Sequence, residues 1–217
     1  MGAEPRLVIF DCDGVLVDSE PIAARMTALS VSELGWEMTA ELAKSEFLGD
    51  THQNIVKRVE QRIGHSVPPG WVERSQARLF ETLERELKPV AGVREAIATL
   101  MAAGVTLAVA SQGSHEKMQI TLRVTGLLPF FAGRIFSATQ VARPKPAPDL
   151  FLLASASLGV SPSDSVVVED STRGVKAALA AGMRCFGYTA SVGRDAIIEA
   201  GAQPIDDLAL LPALLGL

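Results

Sequence analysis

Two pairs of carboxylate side chains follow short apolar runs in this 217-residue chain. Asp11 and Asp13 come after the run Leu-Val-Ile-Phe, and Glu169 and Asp170 come after the run Val-Val-Val. Side chains alternate along an extended chain, so Asp11 and Asp13 point the same way. Carboxylates held close together repel one another, and a divalent cation or protonation of one of them relieves that repulsion. If the pairs meet in the fold, they predict a site for a hard cation, with Mg²⁺ as its natural occupant.

A hydroxyl and an ammonium group extend this set toward phosphate chemistry. Ser111 ends another apolar run and precedes Gln112 and Gly113. A hydroxyl beside the N–H groups of a glycine turn that opens a helix favours phosphate binding, although an ordinary helix N-cap is the alternative for Ser111. Lys145 lies among prolines that stiffen its loop and position its charge. For Lys145 the alternative is a solvated side chain, with Arg143 as the rival cation.

The elements that position these residues alternate between strand and helix. Short β-branched apolar runs between amphipathic patterns are typical of buried parallel strands. The predicted strands are 6–10, 105–110, 134–137, 165–168 and a last strand at 183–188. This alternation predicts an α/β fold with a doubly wound parallel sheet and helices on both faces. Ligands bind outside the carboxyl ends of such strands, so the carboxylates and the serine should converge at one edge.

A wholly helical stretch separates the first strand from the second. Between about residues 21 and 88 apolar residues recur at helical spacing, and glycine and proline breaks at 64 and 67–70 divide the stretch. Such a length is too great for an ordinary crossover connection. We therefore predict a catalytic core of residues 1–17 and 89–217, with an inserted helical cap domain at 18–88.

Composition excludes several classes of partner. The hydrophobic fraction of 48% supports a sizeable core, and the net charge of −5 without a dense basic cluster argues against nucleic acid. The apolar stretches are too short to span a membrane, and two cysteines do not make a disulfide framework. Cys12 is expected to be a small buried residue rather than a nucleophile, because no histidine adjoins it. We expect a cytoplasmic protein without a membrane partner.

Four motifs, in order, resemble those of the haloacid dehalogenase-type phosphohydrolases. They are Asp11–Glu20, Ala110–Ser111, Lys145 within Lys-Pro-Ala-Pro-Asp, and Val168–Ser171. The branch that looks most similar contains β-phosphoglucomutase and small phosphosugar phosphatases. That branch has a helical cap after the first motif, which agrees with the helical stretch predicted between about residues 21 and 88.

The resemblance implies a role for each matching residue. Asp11 would be the nucleophile that forms an aspartyl-phosphate, and Asp13 would be the general acid and then the general base. The phosphoryl oxygens would be bound by Ser111, Gln112 and Lys145. Mg²⁺ would be held by Asp11, the backbone carbonyl of Asp13, Asp170 and Glu169, the last directly or through water.

The predicted cap differs from the pattern of the mutases in this branch. Mutases usually carry a histidine just after the first motif and basic cap residues that bind the distal phosphate. Ala23 stands where that histidine is expected, and Leu48 and His52 stand where lysine and arginine are expected. These differences favour a phosphatase. The predicted cap contacts to substrate are Glu20, Gly49 and His52.

We therefore predict a Mg²⁺-dependent phosphatase that acts on a small phosphorylated metabolite, a sugar or polyol phosphate. Two other functions stay open, a β-phosphoglucomutase-type mutase and a non-catalytic protein that binds a phosphorylated metabolite. The cap is expected to be a mobile lid that excludes water and selects the substrate. We expect a monomer, with a dimer as the alternative.

Overall fold

A computed structural model describes residues 5–47 and 52–217 and divides them into two compact units. One unit contains the chain up to Asp18 together with Lys88–Leu217, and the other contains Ser19–Leu87. In the first unit the two chain segments that lead to the second lie side by side. Asp18 N donates to the Lys88 carbonyl at 3.0 Å, and Val17 forms an antiparallel bridge with Pro89.

The first unit is built on a six-stranded parallel sheet with the strand order β3-β2-β1-β4-β5-β6. The strands are β1 (Leu7–Phe10), β2 (Thr106–Ser111), β3 (Ile135–Ser137), β4 (Ser165–Glu169), β5 (Arg184–Tyr188) and β6 (Gln203–Ile205). Every residue of β1 is fully buried, because this strand has neighbours at both edges and helices cover both faces of the sheet. The predicted α/β fold with a doubly wound parallel sheet is confirmed.

In the described residues of the second unit, 19–47 and 52–87, the regular structure is helical. They are α1 (Glu20–Ser32), α2 (Ala40–Phe47), α3 (His52–Ile63) and α4 (Trp71–Glu86). Val31, Phe47, Val59 and Trp71 are buried together at its centre. The indole N–H of Trp71 also donates to the Ser30 carbonyl at 3.2 Å and joins α4 to α1. This unit therefore has a small core of its own.

The helices of the first unit follow the strands as the alternation predicts. They are α5 (Val93–Ala102), α6 (His115–Val124), α7 (Asp149–Ser157), α8 (Thr172–Ala180), α9 (Arg194–Ala200) and α10 (Leu211–Leu215). No helix in the described ranges 5–47 and 52–217 has the length and apolar character needed to cross a bilayer.

The sixth strand, β6, was not predicted from the sequence. The strand at 183–188 was expected to be the last, but the chain continues through α9 into β6 at the edge of the sheet. β6 has three residues and contains Pro204, so it shows neither the length nor the alternation by which strands are recognised. A proline is tolerated there because an edge strand leaves N–H groups unpaired on one side.

Candidate active site

The carboxyl ends of the three central strands bring the predicted residues to one edge of the sheet. Phe10, the last residue of β1, lies opposite Val109 of β2 and Val168 of β4. The next residue, Asp11, continues this register, since its N–H donates to the Val168 carbonyl at 2.9 Å. Asp11, the end of β2 and the end of β4 are therefore adjacent because of the strand pairing alone.

Lys145 is the centre of this group. Its side chain is 2% exposed, and Nζ donates to Asp11 Oδ1 at 2.6 Å, to Glu169 Oε1 at 2.5 Å and to the Ala110 carbonyl at 2.9 Å. An ammonium group has three hydrogens, so these acceptors satisfy it completely. Nζ also lies 4.7 Å from the ring centroid of Phe151. The alternative of a solvated lysine is therefore wrong.

The loop that carries Lys145 is anchored on both sides. Arg143, the rival cation, is 73% exposed and forms a two-point contact with Asp149 at 3.1 and 2.8 Å. Arg173 donates to the Lys145 carbonyl at 2.9 Å. Arg143 thus fastens the loop to the start of α7 on the surface, and Lys145 alone of the two cations reaches Asp11.

Burial and charge act in opposite directions on this group. Burial raises the pKa of Asp11 to about 7, with Lys145 lowering it and Glu169 raising it. Burial lowers the pKa of Lys145, but the charges and hydrogen bonds of Asp11 and Glu169 outweigh that effect and raise it above its ordinary value. Lys145 therefore stays charged at neutral pH inside the protein.

Glu169 is held by donors at both oxygens. Oε1 accepts from Lys145, and Oε2 accepts from the Asp170 N–H at 3.1 Å, the Ser171 N–H at 3.2 Å and the Ser171 hydroxyl at 2.9 Å. A Cβ at Gly174 would lie 1.8 Å from the Glu169 carboxyl carbon, so only glycine fits at that position of α8. The contacts of Glu169 position Lys145 and the turn that follows β4.

Asp170 lies against the turn that follows Asp13. A Cβ at Gly14 would come within 1.9 Å of Asp170 Oδ2, and Gly14 also has a φ of 78° that favours glycine. The Ser191 hydroxyl donates to the same Asp170 oxygen at 2.5 Å. Asp170 therefore lies beside the backbone that joins Asp13 to Gly14.

This donor set suits Mg²⁺, which is typically bound by one or two carboxylates together with water and substrate phosphate oxygens. Asp11 and Asp170 would supply the carboxylates, and the carbonyl of Asp13, which precedes the Gly14 turn that Asp170 lies against, would supply a main-chain oxygen. Within residues 5–47 and 52–217 there is no group of three or more His, Cys, Asp and Glu side chains arranged as metal ligands. The fit therefore depends on two carboxylates and a main-chain oxygen.

Asp13 has a partner that the sequence did not indicate. Lys117 Nζ, from the first turn of α6, donates to both Asp13 oxygens at 2.8 Å. Burial lowers the pKa of Lys117, but the charge of Asp13 and the hydrogen bonds to it outweigh that effect and raise it. In the sequence Lys117 resembles any other lysine on a helix. Only its contact with Asp13 in the folded protein distinguishes it from a solvated lysine.

Ser111 is buried at the end of β2 and accepts from the Gly113 N–H at 3.3 Å. The N-cap of α6 is Ser114, whose hydroxyl accepts from the Lys117 N–H, so the N-cap alternative for Ser111 is wrong. Gln112 between them is exposed. The Ser137 hydroxyl fixes this turn by donating to the Gly113 carbonyl at 2.7 Å.

Cys12 lies between the two aspartates and is buried, as predicted. Its sulfur is 3.7 Å from the Thr121 hydroxyl, and burial raises the pKa of the thiol well above its usual range, with Asp13 and Asp11 adding to the shift. A thiol in this state is a poor nucleophile, because the thiolate is the reactive form.

The predicted cap contacts lie in the second unit or outside the described residues. Glu20 pairs with Lys44 at 3.2 Å within that unit. Gly49 and Leu48 lie outside the described residues, and the backbone of His52 begins α3. Their contacts with a substrate stay a prediction.

The buried charge group generates a stability prediction. Changing Lys145 to Met keeps an unbranched side chain, apolar and one atom shorter, but leaves Asp11 and Glu169 without their cation. We expect the free energy of unfolding to fall by about 3–5 kcal/mol, the cost of breaking a buried ion pair from one side. Chemical denaturation measures it. Arg143→Met, in the same loop but in solvent, should leave stability nearly unchanged, and equal losses in the two variants would contradict the assignment.

The chain is similar to known proteins along most of its length. The family model described as haloacid dehalogenase-like hydrolase matches residues 8–188. The chain is 30% identical over 211 residues to the 6-phosphogluconate phosphatase of Escherichia coli K12, covering 95% of this chain and 93% of that protein. It is also 33% identical over 213 residues to SUPPRESSOR OF QUENCHING 1 of Arabidopsis thaliana, covering 92% of this chain but 19% of that protein.

A solved structure agrees with these matches. It is a haloacid dehalogenase family hydrolase from Deinococcus radiodurans R1 with bound phosphate and sodium. It superposes with a TM-score of 0.83 at 31% sequence identity, covering 99% of this chain and 96% of that chain. The residues matched by the family model include the carboxyl ends of the central strands and all four motifs that meet there. The predicted resemblance is therefore confirmed. This chain belongs to the haloacid dehalogenase-like hydrolases.

Proposed function

We propose that this protein is a Mg²⁺-dependent phosphatase that releases phosphate from a small phosphorylated metabolite through an aspartyl-phosphate on Asp11. One observation carries the proposal. The Asp11 carboxylate lies at the end of the central strand with the buried Lys145 ammonium 2.6 Å away. A fixed cation beside a nucleophilic carboxylate is what a phosphoryl group with negatively charged oxygens requires.

The first half of the reaction transfers the phosphoryl group to the protein. An Asp11 oxygen attacks phosphorus, the bond between phosphorus and the ester oxygen breaks, and the leaving oxygen takes a proton from Asp13. Lys145 neutralises charge on the phosphoryl oxygens, and the Ser111 hydroxyl with the turn at Gln112 binds them. In the second half Asp13 accepts a proton from water and the water oxygen attacks phosphorus. The bond between phosphorus and the Asp11 oxygen breaks, which releases inorganic phosphate and regenerates Asp11.

A bound Mg²⁺ would neutralise charge on the transferring group, and Asp11, Asp170 and the Asp13 carbonyl would hold it. Ser191 orients Asp170 for this purpose through its 2.5 Å hydrogen bond. In this proposal Glu169 chiefly holds Lys145 through Oε1, and its Oε2 already accepts three hydrogen bonds, so Glu169 contacts the cation through water.

For the substrate we propose a phosphorylated sugar, sugar acid or polyol. The support is the similarity to a 6-phosphogluconate phosphatase along nearly the whole length of both chains. The helical unit of residues 19–87 acts as the lid that selects this substrate, with Glu20, Gly49 and His52 as contacts. The adjacent connections at Asp18 and Lys88 support a hinge there.

We also propose that the protein acts as a monomer in the cytoplasm. Both cysteines, Cys12 and Cys185, are unpaired and buried. Unpaired cysteines are typical of a reducing compartment, where thiols are not oxidised to disulfides.

Asp11→Asn tests the nucleophile, because it keeps the shape of the side chain and removes its charge. We expect phosphate release to fall by roughly 10³-fold or more while the fold is retained. The assay measures phosphate release from a panel of sugar and polyol phosphates with Mg²⁺, and circular dichroism checks the fold. Asp195→Asn, at an exposed residue of α9, is the matched control. Near-normal turnover by Asp11→Asn would contradict the mechanism.

Metal removal tests the cation site. Excess chelator should abolish phosphate release, and added Mg²⁺ should restore it. Asp170→Asn removes one ligand charge, so the Mg²⁺ concentration for half-maximal activity should rise by more than roughly tenfold. Calorimetric titration with Mg²⁺ compares the Mg²⁺ affinity of Asp170→Asn with that of the wild type and does not depend on turnover. Asp195→Asn, an exposed residue of α9, serves as control. Full activity in chelator would refute the metal requirement.

The phosphatase and mutase functions separate in a single assay. The protein receives β-glucose 1-phosphate with a trace of the 1,6-bisphosphate, and both products are followed over time. A phosphatase releases free phosphate and glucose, because water reaches the aspartyl-phosphate. Glucose 6-phosphate that accumulates faster than free phosphate would establish the mutase instead. Binding of these esters without either product would establish the non-catalytic alternative.

A further inference from the structure

Lys117 forms the second ion pair at the carboxyl edge of the sheet, and it joins residues 104 positions apart in the chain. Its Nζ is 2.8 Å from each oxygen of Asp13, so the ammonium lies between them. The Lys117 and Asp13 side chains are 22% and 26% exposed, whereas Lys145 is 2% exposed. The pair is thus partly exposed to solvent and does not belong to the buried group around Lys145.

The chain positions Lys117 through the turn between β2 and α6. Ser114 caps the helix, and its hydroxyl accepts from the Lys117 N–H at 3.2 Å, which fixes the backbone at that residue. A Cβ at Gly113 would lie 3.6 Å from Asp13 Oδ2 and 3.7 Å from Lys117 Cδ. The turn that carries the phosphate-binding Ser111 therefore packs directly beside this pair.

This geometry restrains the orientation of a carboxyl group. Asp13 follows β1 in a turn, and its carboxyl group can move by rotation about the Cα–Cβ and Cβ–Cγ bonds. An ammonium that contacts both oxygens at 2.8 Å holds the carboxyl group in one position. Proton transfer needs such restraint, because a general acid must lie within hydrogen-bond reach of the atom it serves.

We propose that Lys117 is a positioning residue that orients Asp13 toward the leaving oxygen of the substrate. This inference rests on the proposed function, since it gives Lys117 a part in the proton transfer assigned to Asp13. Without Lys117 the Asp13 carboxyl group rotates away, and the break of the phosphorus–oxygen bond loses its proton donor. The defect is therefore confined to esters whose leaving group needs a proton.

The test compares Lys117→Met with the wild type on glycerol 2-phosphate, phenyl phosphate and p-nitrophenyl phosphate, with Mg²⁺. The quantity is kcat/KM, which reports phosphoryl transfer to the protein. We expect a loss of roughly 10- to 100-fold for glycerol 2-phosphate, a smaller loss for phenyl phosphate and almost none for p-nitrophenyl phosphate. The nitrophenolate leaves without protonation, so it does not need an oriented Asp13.

Matched variants separate this role from a structural one. Lys117→Arg keeps a cation beside Asp13 and should recover most of the loss, while Lys176→Met on the exposed side of α8 should match the wild type. Thermal melting shows whether each variant is folded. If Lys117→Met is unfolded, Lys117→Gln replaces it in the assay. Equal losses on all esters, or no loss on any, would overturn the proposal. A wild type inactive on every ester would instead overturn the proposed function.

Discussion

The arrangement of residues at the carboxyl ends of the central strands depends on one buried ammonium group and the two carboxylates that neutralise it. Lys145 reaches Asp11 and Glu169 only because β1 lies between β2 and β4, which places Asp11 next to the end of β4. A charge taken out of water costs several kcal/mol unless its partners are close and well oriented. The glycine at 174 is part of the same requirement, since any side chain there would displace Glu169.

The two aspartates of the first motif are served by different lysines in different surroundings. Asp11 meets Lys145 in the interior, where water is excluded and electrostatic interactions are strong. Asp13 meets Lys117 at the border of the site, where both side chains keep partial contact with solvent. In the proposed mechanism Asp11 is a nucleophile, which needs a fixed environment, whereas Asp13 donates and accepts protons and needs access to water. The separation of the two residues into these environments follows from the fold.

The sequence predicted the strands that end at the site because each is an apolar run bounded by polar turn residues. It also predicted that the carboxylates Asp11 and Glu169 would be near one another, through the rule that the carboxyl ends of parallel strands meet at one edge of the sheet. Lys145 lies in a loop, and its place beside them was expected only from its stiffened loop and the family resemblance. It did not indicate Lys117, because a lysine near the start of an amphipathic helix is usually a solvated residue. Nor did it show that Glu169 would be saturated by Lys145 and Ser171, which depends on side-chain geometry that spacing does not contain.

The charge balance of the buried group would favour a cation at the carboxyl ends of these strands. Asp11 and Glu169 carry two negative charges when ionised, against the single positive charge of Lys145, and Asp170 is nearly buried beside the Gly14 turn. The pKa of Asp11, raised to about 7, reflects this excess together with burial. A divalent cation held by Asp11 and Asp170 would favour the ionised form of Asp11, which is the form that attacks phosphorus. In the proposed mechanism, metal binding and activation of the nucleophile would thus have the same electrostatic cause.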